Sequence, residues 1–450
     1  MASEADITSP KGWLYHPTFP DNWQRRPLYS LAEWVNGLAF RDIQFSQTGR
    51  PVIKIAEIKG GISGQTKFTE QVFDDSVRVR EGDLLFSWSG QPETSIDAFW
   101  WRGPEGWLNQ HVFRVTPGAE VRRTFFYYLL RYLKPNFVGI ARNKQTTGLG
   151  HVTKRDLQNI EAAYPESSEQ RAIAHILGTL DDKIELNRRM SETLEAMLRA
   201  LFKSWFVDLD PVRAKSEGRD PGIPDDAAAL FPDSFDEDPE FGEIPKGWTS
   251  LPLYDAAVYV NGAAYRAFQP NDERRGIPII KIAELKAGVT AQTKYSDVQM
   301  PEKYRLRTGD ILFSWSGNPD TSIDTFVWTH GSAWLNQHIF RVDPHRPEER
   351  SFVLATLKYL RPVFAEIARN KQTTGLGHVT AADMRRLYIV KPDSAVLGAW
   401  NRYANPFVEA AFRHTIEAQT LLELRDALLP RLISGELRVE DPARIIGRNA

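Results

Sequence analysis

The sequence predicts an α+β protein in which two similar globular domains are separated by two long antiparallel helices that form a coiled coil. Three observations in the 450 residues lead to this prediction: a long internal repeat, a helical stripe of apolar residues after each copy, and short strand and helix patterns within each copy. Because the two stripes can cover each other, we expect the copies to be related by a pseudo-two-fold axis.

The internal repeat sets the number of domains. The run IARNKQTTGLGHVT begins at Ile140 and again at Ile367, an offset of 367 − 140 = 227 residues. Closer to the N-terminus, PLY begins at Pro27 and again at Pro252, an offset of 252 − 27 = 225 residues. A long identical run inside a longer collinear match indicates a duplicated unit of about half the chain. The offset of 227 also relates LFSWSG at 85–90, TSID at 94–97 and WLNQH at 107–111 to their copies.

A long helical pattern follows each copy. Ser167 and Gln170 have the spacing of a capping box, which predicts that the first helix begins there. Apolar residues then recur in alternating steps of four and three, as in a coiled-coil seam with polar entries that fix its register. The seam comprises Ile173, Leu177, Leu180, Ile184, Asn187, Ser191, Leu194, Leu198, Leu201 and Trp205, and its copy comprises Trp400, Ala404, Phe407, Ala411, His414, Ala418, Leu421, Arg425, Leu428 and Leu432.

These patterns divide the chain into five segments. Within the globular parts, VIKIAEI and DLLFSW are typical of strands, and FFYYLLRYL is typical of a helix. The segment between the first helix and the second domain is rich in Pro, Asp and Glu, so we expect an exposed, loosely ordered connector. The segments are a first globular domain (1–166), a long helix (167–206), an acidic linker and entry to the second domain (207–247), a second globular domain (248–392) and a C-terminal long helix with its tail (393–450).

Composition and charge exclude some classes of protein. The chain has no cysteine, so it offers neither disulfides nor a cysteine-based zinc site. It shows no signal peptide and no long uncharged apolar run, so we expect a cytoplasmic protein without a membrane span. Lys and Arg outnumber Asp and Glu by 20 to 17 in residues 1–165 and by 19 to 14 in residues 248–391, whereas residues 207–247 hold 4 against 12. The mildly basic domains permit nucleic-acid binding without requiring it.

Neither domain carries a complete catalytic motif. A Glu-x-Lys pattern at Glu57 and again at Glu284 matches the end of a metal-dependent nuclease signature, but the upstream Asp42 and Asp272 fall at different positions of the repeat. A methyltransferase would need a glycine-rich cofactor loop and an Asn/Asp-Pro-Pro-aromatic motif, and the sequence has neither. No catalytic residue and no metal ligand are therefore predicted, and the nuclease is the weakest of the alternatives.

Three repeated segments offer side chains that suit DNA. Arg and Lys pair with guanine or phosphate, Asn and Gln pair with adenine, and hydroxyl groups contact phosphate. We could also interpret the tryptophans as core residues and one Asn or Gln of each LNQH segment as buried structural polarity. The candidates are Ser87, Trp88, Ser89, Asn109, Gln110, Arg142, Asn143, Lys144, Gln145 and Thr146, with their copies Ser314, Trp315, Ser316, Asn336, Gln337, Arg369, Asn370, Lys371, Gln372 and Thr373.

The whole pattern resembles the specificity subunit of type I restriction-modification enzymes. The block from EQRAIAHILG to SWFVDLDPV at 169–212 resembles the central conserved region of that family. The text ALFPDSFDEDPEFGEIPKGW at 229–248 resembles the entry to its second module, and LLELRDALLPRLISGELRV at 421–439 resembles its C-terminal conserved helix. The resemblance covers nearly the whole chain. One departure is that the two modules are close copies here, whereas they often differ in the family.

The resemblance implies a non-catalytic subunit that reads a bipartite site on double-stranded DNA. It implies two methyltransferase subunits as partners and allows two restriction subunits, with S-adenosylmethionine, ATP and Mg²⁺ bound by those partners and no cofactor by this chain. Because the candidate contact segments are the same in both modules, we expect a palindromic or nearly palindromic site. A stand-alone DNA-binding regulator or decoy is the alternative, and co-purification with a methyltransferase would distinguish the two.

Apolar residues outside the main seam of the long helices are the predicted docking surface for the methyltransferase subunits. A helix that exposes apolar residues beside its packed stripe needs a partner to cover them. The predicted docking residues are Ile176, Met197, Phe202 and Phe206 on the first helix and Tyr403, Phe412, Ile416 and Leu429 on the second.

Overall fold

The computed structural model describes residues 19–41, 44–145, 149–372 and 376–447. The chain divides into two compact units. One unit comprises the residues up to Lys183 together with those from Leu421 onward, and the other comprises Ile184–Thr420. Each unit therefore contains one recognition module and parts of both long helices.

The first unit is built on two four-stranded sheets. In the order β2-β10-β6-β8 all neighbours are antiparallel, whereas in the order β4-β3-β9-β5 strands β3 and β9 run parallel. Strands β1 and β12 form a separate antiparallel pair, as do β7 and β11. The elements are β1 (Gln24–Pro27), β2 (Ala32–Asn36), β3 (Arg50–Ile53), α1 (Ile55–Gly60), β4 (Phe68–Thr69), β5 (Arg78–Val79), β6 (Leu84–Ser87), β7 (Ser89–Gly90), α2 (Pro92–Ser95), β8 (Asp97–Trp100), β9 (Gly106–Leu108), β10 (Val112–Pro117), α3 (Arg123–Tyr132), α4 (Lys134–Asn143), β11 (Gly150–His151), α5 (Lys154–Asn159) and β12 (Glu161–Tyr164).

Two helices of 40 residues follow the modules: α6 (Ser167–Phe206) and, at the end of the chain, α13 (Ser394–Ile433). The second unit repeats the sheets of the first in the orders β16-β24-β20-β22 and β18-β17-β23-β19. Its elements are α7 (Asp210–Ser216), α8 (Asp225–Ala228), β13 (Phe235–Asp238), β14 (Gly242–Pro245), β15 (Thr249–Pro252), β16 (Ala257–Asn261), β17 (Ile277–Ile280), α9 (Ile282–Ala287), β18 (Tyr295–Ser296), β19 (Arg305–Leu306), β20 (Ile311–Ser314), β21 (Ser316–Gly317), β22 (Asp324–Val327), β23 (Ala333–Leu335), β24 (Ile339–Pro344), α10 (Arg350–Tyr359), α11 (Arg361–Asn370), β25 (Gly377–His378), α12 (Ala381–Arg386) and β26 (Tyr388–Lys391), with α14 (Pro442–Ile446) in the C-terminal tail.

The predicted antiparallel pairing of the long helices is confirmed within the second unit. The Asn187 amide oxygen lies 3.2 Å from His414 Nδ1, and the Ser191 hydroxyl donates to the Ala411 carbonyl at 3.1 Å. The partner number falls as the residue number rises, so the helices run in opposite directions. Asn187 and His414 are equivalent in the repeat, because 414 − 187 = 227, and the helix pair therefore has a local two-fold axis at this contact. Both polar seam residues face each other, as a register-fixing pair requires.

The predicted loose connector is wrong, because residues 207–247 are ordered and contribute to a core. Pro211 lies in the first turn of α7, where its fixed φ suits a helix and its missing N–H costs nothing. Val212 and Phe231 are buried in the core of the second unit, together with Trp205 and Trp248. The acidic residues of this segment are exposed or partly exposed, both on the β13–β14 hairpin and before it. The prediction relied on the acidic and proline-rich composition and did not take account of the smaller number of apolar residues that are buried.

Two further local predictions need correction. The run VIKIAEI is half strand and half helix, because Glu57 accepts a hydrogen bond from the Lys54 backbone N–H and caps α1 after strand β3 ends. Helix α6 begins at Ser167, but Gln170 does not close a capping box there. The Gln170 side chain instead accepts from the Arg122 N–H at 2.8 Å and donates to the carbonyls of Glu120 and Pro165. It fastens the helix to the module. The strand predicted from DLLFSW is confirmed as β6 (Leu84–Ser87), and the helix predicted from FFYYLLRYL is confirmed as α3 (Arg123–Tyr132).

Candidate nucleic-acid interface

The predicted contact segments meet on one side of the first module. Strand β7, which follows Trp88, pairs with β11, so Ser89 lies opposite His151. The Trp88 backbone N–H donates to the His111 carbonyl at 3.3 Å, and the Val152 N–H donates to the Trp88 carbonyl at 2.8 Å. Backbone pairing thus brings SWSG, LNQH and the segment after RNKQ together, although they are far apart in sequence.

Trp88 is partly buried and its indole is held on two sides. Its Nε1–H donates to the Asn36 amide oxygen at 3.1 Å. Its ring centroid lies 5.8 Å from that of His111 and 5.8 Å from that of Phe113. Gly37 follows Asn36 where the backbones nearly touch, because a Cβ atom there would lie 2.2 Å from the Asn109 carbonyl oxygen. Only glycine fits this approach, so the fold fixes the position of Asn36 beside the indole.

The second module reproduces this arrangement with its own residues. Trp315 Nε1–H donates to the Asn261 amide oxygen at 3.1 Å, and its ring lies 5.5 Å from His338 and 6.0 Å from His378. Ser316 Oγ lies 2.9 Å from Nδ1 of His378. Burial, and to a smaller extent the nearby His378, lowers the pKa of His338. The imidazole of His338 is therefore neutral at physiological pH.

The cations of the RNKQ segment have carboxylate partners. Arg142 bonds to Glu93, and in the second module Arg369 bonds to Asp320 at 2.8 Å. Lys144 reaches both carboxylate oxygens of Asp156, the capping residue of α5. Burial favours the neutral form of Asp156, but the bonds from Lys144 and Thr153 outweigh it and lower the pKa of the carboxyl group.

The remaining RNKQ residues divide between surface and undescribed positions. Lys371 contacts the capping residue Asp383, as Lys144 contacts Asp156. Arg142 and Arg369, by contrast, form ion pairs with exposed carboxylates. Asn143, Gln145, Asn370 and Gln372 are exposed. The candidates Thr146 and Thr373 lie outside the described residues.

Several predicted contact residues are buried, which corrects the prediction for them. Ser87 and Ser314 end central strands and are fully buried, with no hydrogen-bond partner for their hydroxyl groups among the described residues. Asn109 and Asn336 are also buried, whereas their neighbours Gln110 and Gln337 are only partly buried. The alternative interpretation of one amide in each LNQH pair as structural is therefore confirmed. Ser316 is buried too and contacts His378 instead of solvent, whereas its copy Ser89 is partly exposed.

Sequence reasoning missed Asn36 and Asn261, which hold the two tryptophans. The signal was present, because VNG ends at Gly37 and again at Gly262 with the offset of 225 that PLY shows. An Asn-Gly pair is more often interpreted as a turn, and nothing local in the sequence indicates that its amide meets a tryptophan more than 50 residues away.

The predicted docking surface on the long helices also needs correction. Phe202 and Phe206 are buried: both rings pack on Phe352 and Trp400 in the core of the second unit. Met197 is exposed, as predicted. The exposed Leu186 and Met190 lie on the same helix and were not predicted. The other predicted docking residues are partly exposed, namely Ile176, Tyr403, Phe412, Ile416 and Leu429.

The nuclease pattern has a structural explanation. Glu57 and Glu284 are buried and cap the helices α1 and α9 through the backbone N–H groups of Lys54 and Lys281. Asp42 lies outside the described residues. Within the described ranges, no three His, Asp or Glu side chains are grouped so that they could hold a metal ion.

None of the helices described here combines the length and the apolar character needed to cross a bilayer.

Comparison with known proteins gives one family. A family model described as the type I restriction modification DNA specificity domain matches residues 20–196 and 245–395, one match for each module. The MjaIX specificity subunit of Methanocaldococcus jannaschii is 26% identical over 343 residues, covering 74% of this chain and 73% of that protein. The HindI specificity subunit of Haemophilus influenzae is 25% identical over 406 residues, covering 80% of this chain and 87% of that protein.

Solved structures are similar only loosely. The S subunit of a type I restriction-modification system from M. genitalium aligns with a TM-score of 0.48 and 16% identity, over 91% of this chain and 96% of that chain. The HsdS subunit from Thermoanaerobacter tengcongensis aligns with a TM-score of 0.32 and 18% identity, over 93% of this chain and 98% of that chain.

Proposed function

This chain belongs to the type I restriction modification DNA specificity family, and we propose that it reads a bipartite DNA site for a complex whose other subunits carry out the chemistry. Subunits of this kind recognise DNA and assemble with other subunits, and they are not themselves catalytic. The observation that carries the finer proposal is the duplication of one surface: each module holds an indole between an exposed asparagine and a histidine.

The duplicated surface predicts the form of the DNA site. Base-edge contacts depend on a few side chains held at fixed positions, so modules with the same side chains at those positions prefer the same short base string. The antiparallel helices and their local two-fold contact at Asn187 and His414 favour an inverted repeat of that string. The site we propose is palindromic or nearly palindromic, with an unread spacer between the half-sites.

The exposed apolar residues of α6 support docking of partner subunits. Leu186, Met190 and Met197 are exposed and follow steps of four and seven residues, which places them on one face of the helix. We propose that this face, rather than Phe202 and Phe206, helps to bind a methyltransferase subunit. In the complex we propose, two methyltransferase subunits bind S-adenosylmethionine, restriction subunits where present bind ATP and Mg²⁺, and the assembly acts in the cytoplasm.

A methylation map tests the proposed function. The chain is co-expressed with a type I methyltransferase subunit from the same organism, and adenine methylation of the host genome is mapped with and without the chain. We expect a bipartite motif with matching inverted half-sites that appears only when the chain is present, and we expect the two proteins to purify together. A map without any motif, or a chain that binds DNA but no methyltransferase, would favour the stand-alone regulator instead.

A further inference from the structure

Each module presents one surface that combines residues of the SWSG and LNQH segments with an asparagine from outside them. We call it the tryptophan patch. In the first module it consists of Asn36, Trp88, Gln110 and His111, and in the second module of Asn261, Trp315, Gln337 and His338. The asparagines are exposed, and the indoles and glutamines are partly exposed. The histidine differs between the copies, because His111 is exposed and His338 is partly buried.

The chemistry of the indole fixes the orientation of the asparagine amide. An indole N–H can only donate, so the amide group that receives it must be the oxygen. The Trp88 N–H holds the Asn36 oxygen at 3.1 Å, and Trp315 holds the Asn261 oxygen at the same distance. The two N–H groups of each amide are therefore left for another partner. Each patch thus offers a hydrogen-bond donor at a fixed place beside an aromatic face.

The backbone of each asparagine is also fixed in position. Gly262 follows Asn261 and comes so close to the next strand that a Cβ atom would lie 2.1 Å from the Asn336 carbonyl oxygen, which matches the approach at Gly37. Asn261 ends strand β16, where its pairing with Phe340 on β24 sets its height in the sheet. A donor fixed by both side chain and backbone loses little conformational freedom on binding, which is what selective readout requires.

The RNKQ segments offer a different kind of contact. Arg142 and Arg369 lie on flexible stems and are held by exposed carboxylates, which a phosphate can replace at small cost. Lys144 and Lys371 are occupied by the capping aspartates. Exposed cations of this kind contact the DNA backbone, which fixes the position of the protein but carries no base sequence.

We propose that the tryptophan patch is the base-reading surface of each module, with Asn36 and Asn261 donating to an acceptor on a base edge. In the major groove such acceptors are O6 and N7 of guanine, N7 of adenine and O4 of thymine. The indole provides an apolar wall beside the contact, and the RNKQ arginines bind phosphate. This inference rests on the proposed function, because it assumes that the modules read DNA.

Asn36→Asp is the decisive variant. Aspartate has almost the same shape and still accepts the Trp88 N–H, but it replaces the outward donor by an acceptor. In the methylation map we expect methylation of sites with the original base to fall roughly ten- to a hundred-fold at one half-site, with a different base preferred there. Asn159→Asp, on the exposed end of α5, makes the same change of charge in the same module and should leave the motif unchanged.

The duplication gives a second, independent arm. Asn261→Asp should produce the same asymmetric motif as Asn36→Asp, read on the opposite strand, and the double variant should restore a symmetric motif with the new base in both half-sites. Arg142→Ala should weaken methylation of all sites alike without changing the motif.

The outcomes separate this inference from the proposed function. If the unaltered chain yields no motif, the proposed function fails. If it yields a motif that Asn36→Asp and Asn261→Asp both leave intact while their thermal unfolding matches that of the unaltered chain, the inference is overturned and the proposed function stands. A motif that changes with Arg142→Ala but not with Asn36→Asp would assign base reading to the RNKQ segment and would also overturn it.

Discussion

The place where a long helix meets a recognition module differs between the two units. In the first unit it is polar: Asp181 accepts hydrogen bonds from the Tyr128 hydroxyl and from Arg425, both at 2.7 Å. The repeat-equivalent residues in the second unit are Val408, Ala355 and Leu198. Val408 and Leu198 line a cavity of about 230 Å³, together with Phe326, Leu354, Phe407 and Phe412.

The contrast with the tryptophan patch is informative. The patch keeps its residue types and its indole–asparagine distance of 3.1 Å in both modules, whereas the helix junctions use opposite chemistry for the same packing task. A buried junction can be stabilised by a satisfied polar network or by apolar contact, because either one avoids unpaired buried groups. A surface that binds the same base string has no such freedom. The tryptophan patch is both exposed and alike in the two modules, and it is the part of the repeat that we assign to DNA.

The largest expected effect on stability comes from removing only one partner of the Asp181–Arg425 ion pair. Burial and the charge of Asp181 raise the pKa of Tyr128, so its hydroxyl stays protonated as a donor. Arg425→Leu removes the cation that neutralises Asp181, and Asp181→Val leaves Arg425 paired with the exposed Asp426 instead. We expect each to lower the unfolding free energy by about 2–3 kcal/mol, below the full range for buried pairs because both groups retain some exposure.

A triple variant tests whether the two junctions are interchangeable. Asp181→Val with Arg425→Leu and Tyr128→Phe gives the first unit the apolar character of the second, and we expect most of the loss to be recovered. Urea unfolding of the three variants measures both steps. A multiple variant as unstable as the sum of its parts would show that the first unit depends on charge and that the comparison does not hold.

A smaller effect is expected at the cavity of the second unit. Thr325 lines it and is buried, and its hydroxyl group has no hydrogen-bond partner among the described residues. Its equivalent in the first unit is Ala98, which has no polar atom in its side chain. Thr325→Val should raise the unfolding free energy by about 1 kcal/mol, because it removes a buried polar group without changing the shape.

Thr356 is the matched control for this substitution. It is equally buried, but its hydroxyl donates to the Phe352 carbonyl at 2.8 Å. Thr356→Val should therefore lower the unfolding free energy by about 1 kcal/mol, because a made hydrogen bond is lost. Urea midpoints at constant slope measure both changes. Equal losses in the two variants would mean that the Thr325 hydroxyl is satisfied after all.

Features with a regular spacing along the chain could be predicted from the sequence. Side-chain contacts between residues that are far apart in the sequence could not. The repeat and the seam steps predicted the modules and the antiparallel pairing of the long helices, because both depend on regular spacing along the chain. The pairing of Asn36 with Trp88 depends on the strand order β2-β10-β6-β8 within one sheet, and no local pattern encodes it. The docking prediction for Phe202 and Phe206 was wrong for a related reason. The sequence does not show that the second module packs on the helix face beside the seam.

The smallest expected effect concerns pH and the two copies of one histidine. His338 lies in the partly buried patch of the second unit, where Gln337 and His378 face it. Because its pKa in the folded state is lowered from the usual 6.5, the unfolded chain binds the proton more readily. The second unit should therefore be fully stable above pH 6.5 and should lose stability as the pH falls through the folded pKa. Hydrogen exchange of its amides, corrected for the intrinsic rate at each pH, measures this loss. His338→Gln should make the stability of the second unit less dependent on pH in this range, and the same substitution at the exposed His111 should change the first unit less. Equal changes in both units would assign the pH response to groups other than the His338 imidazole.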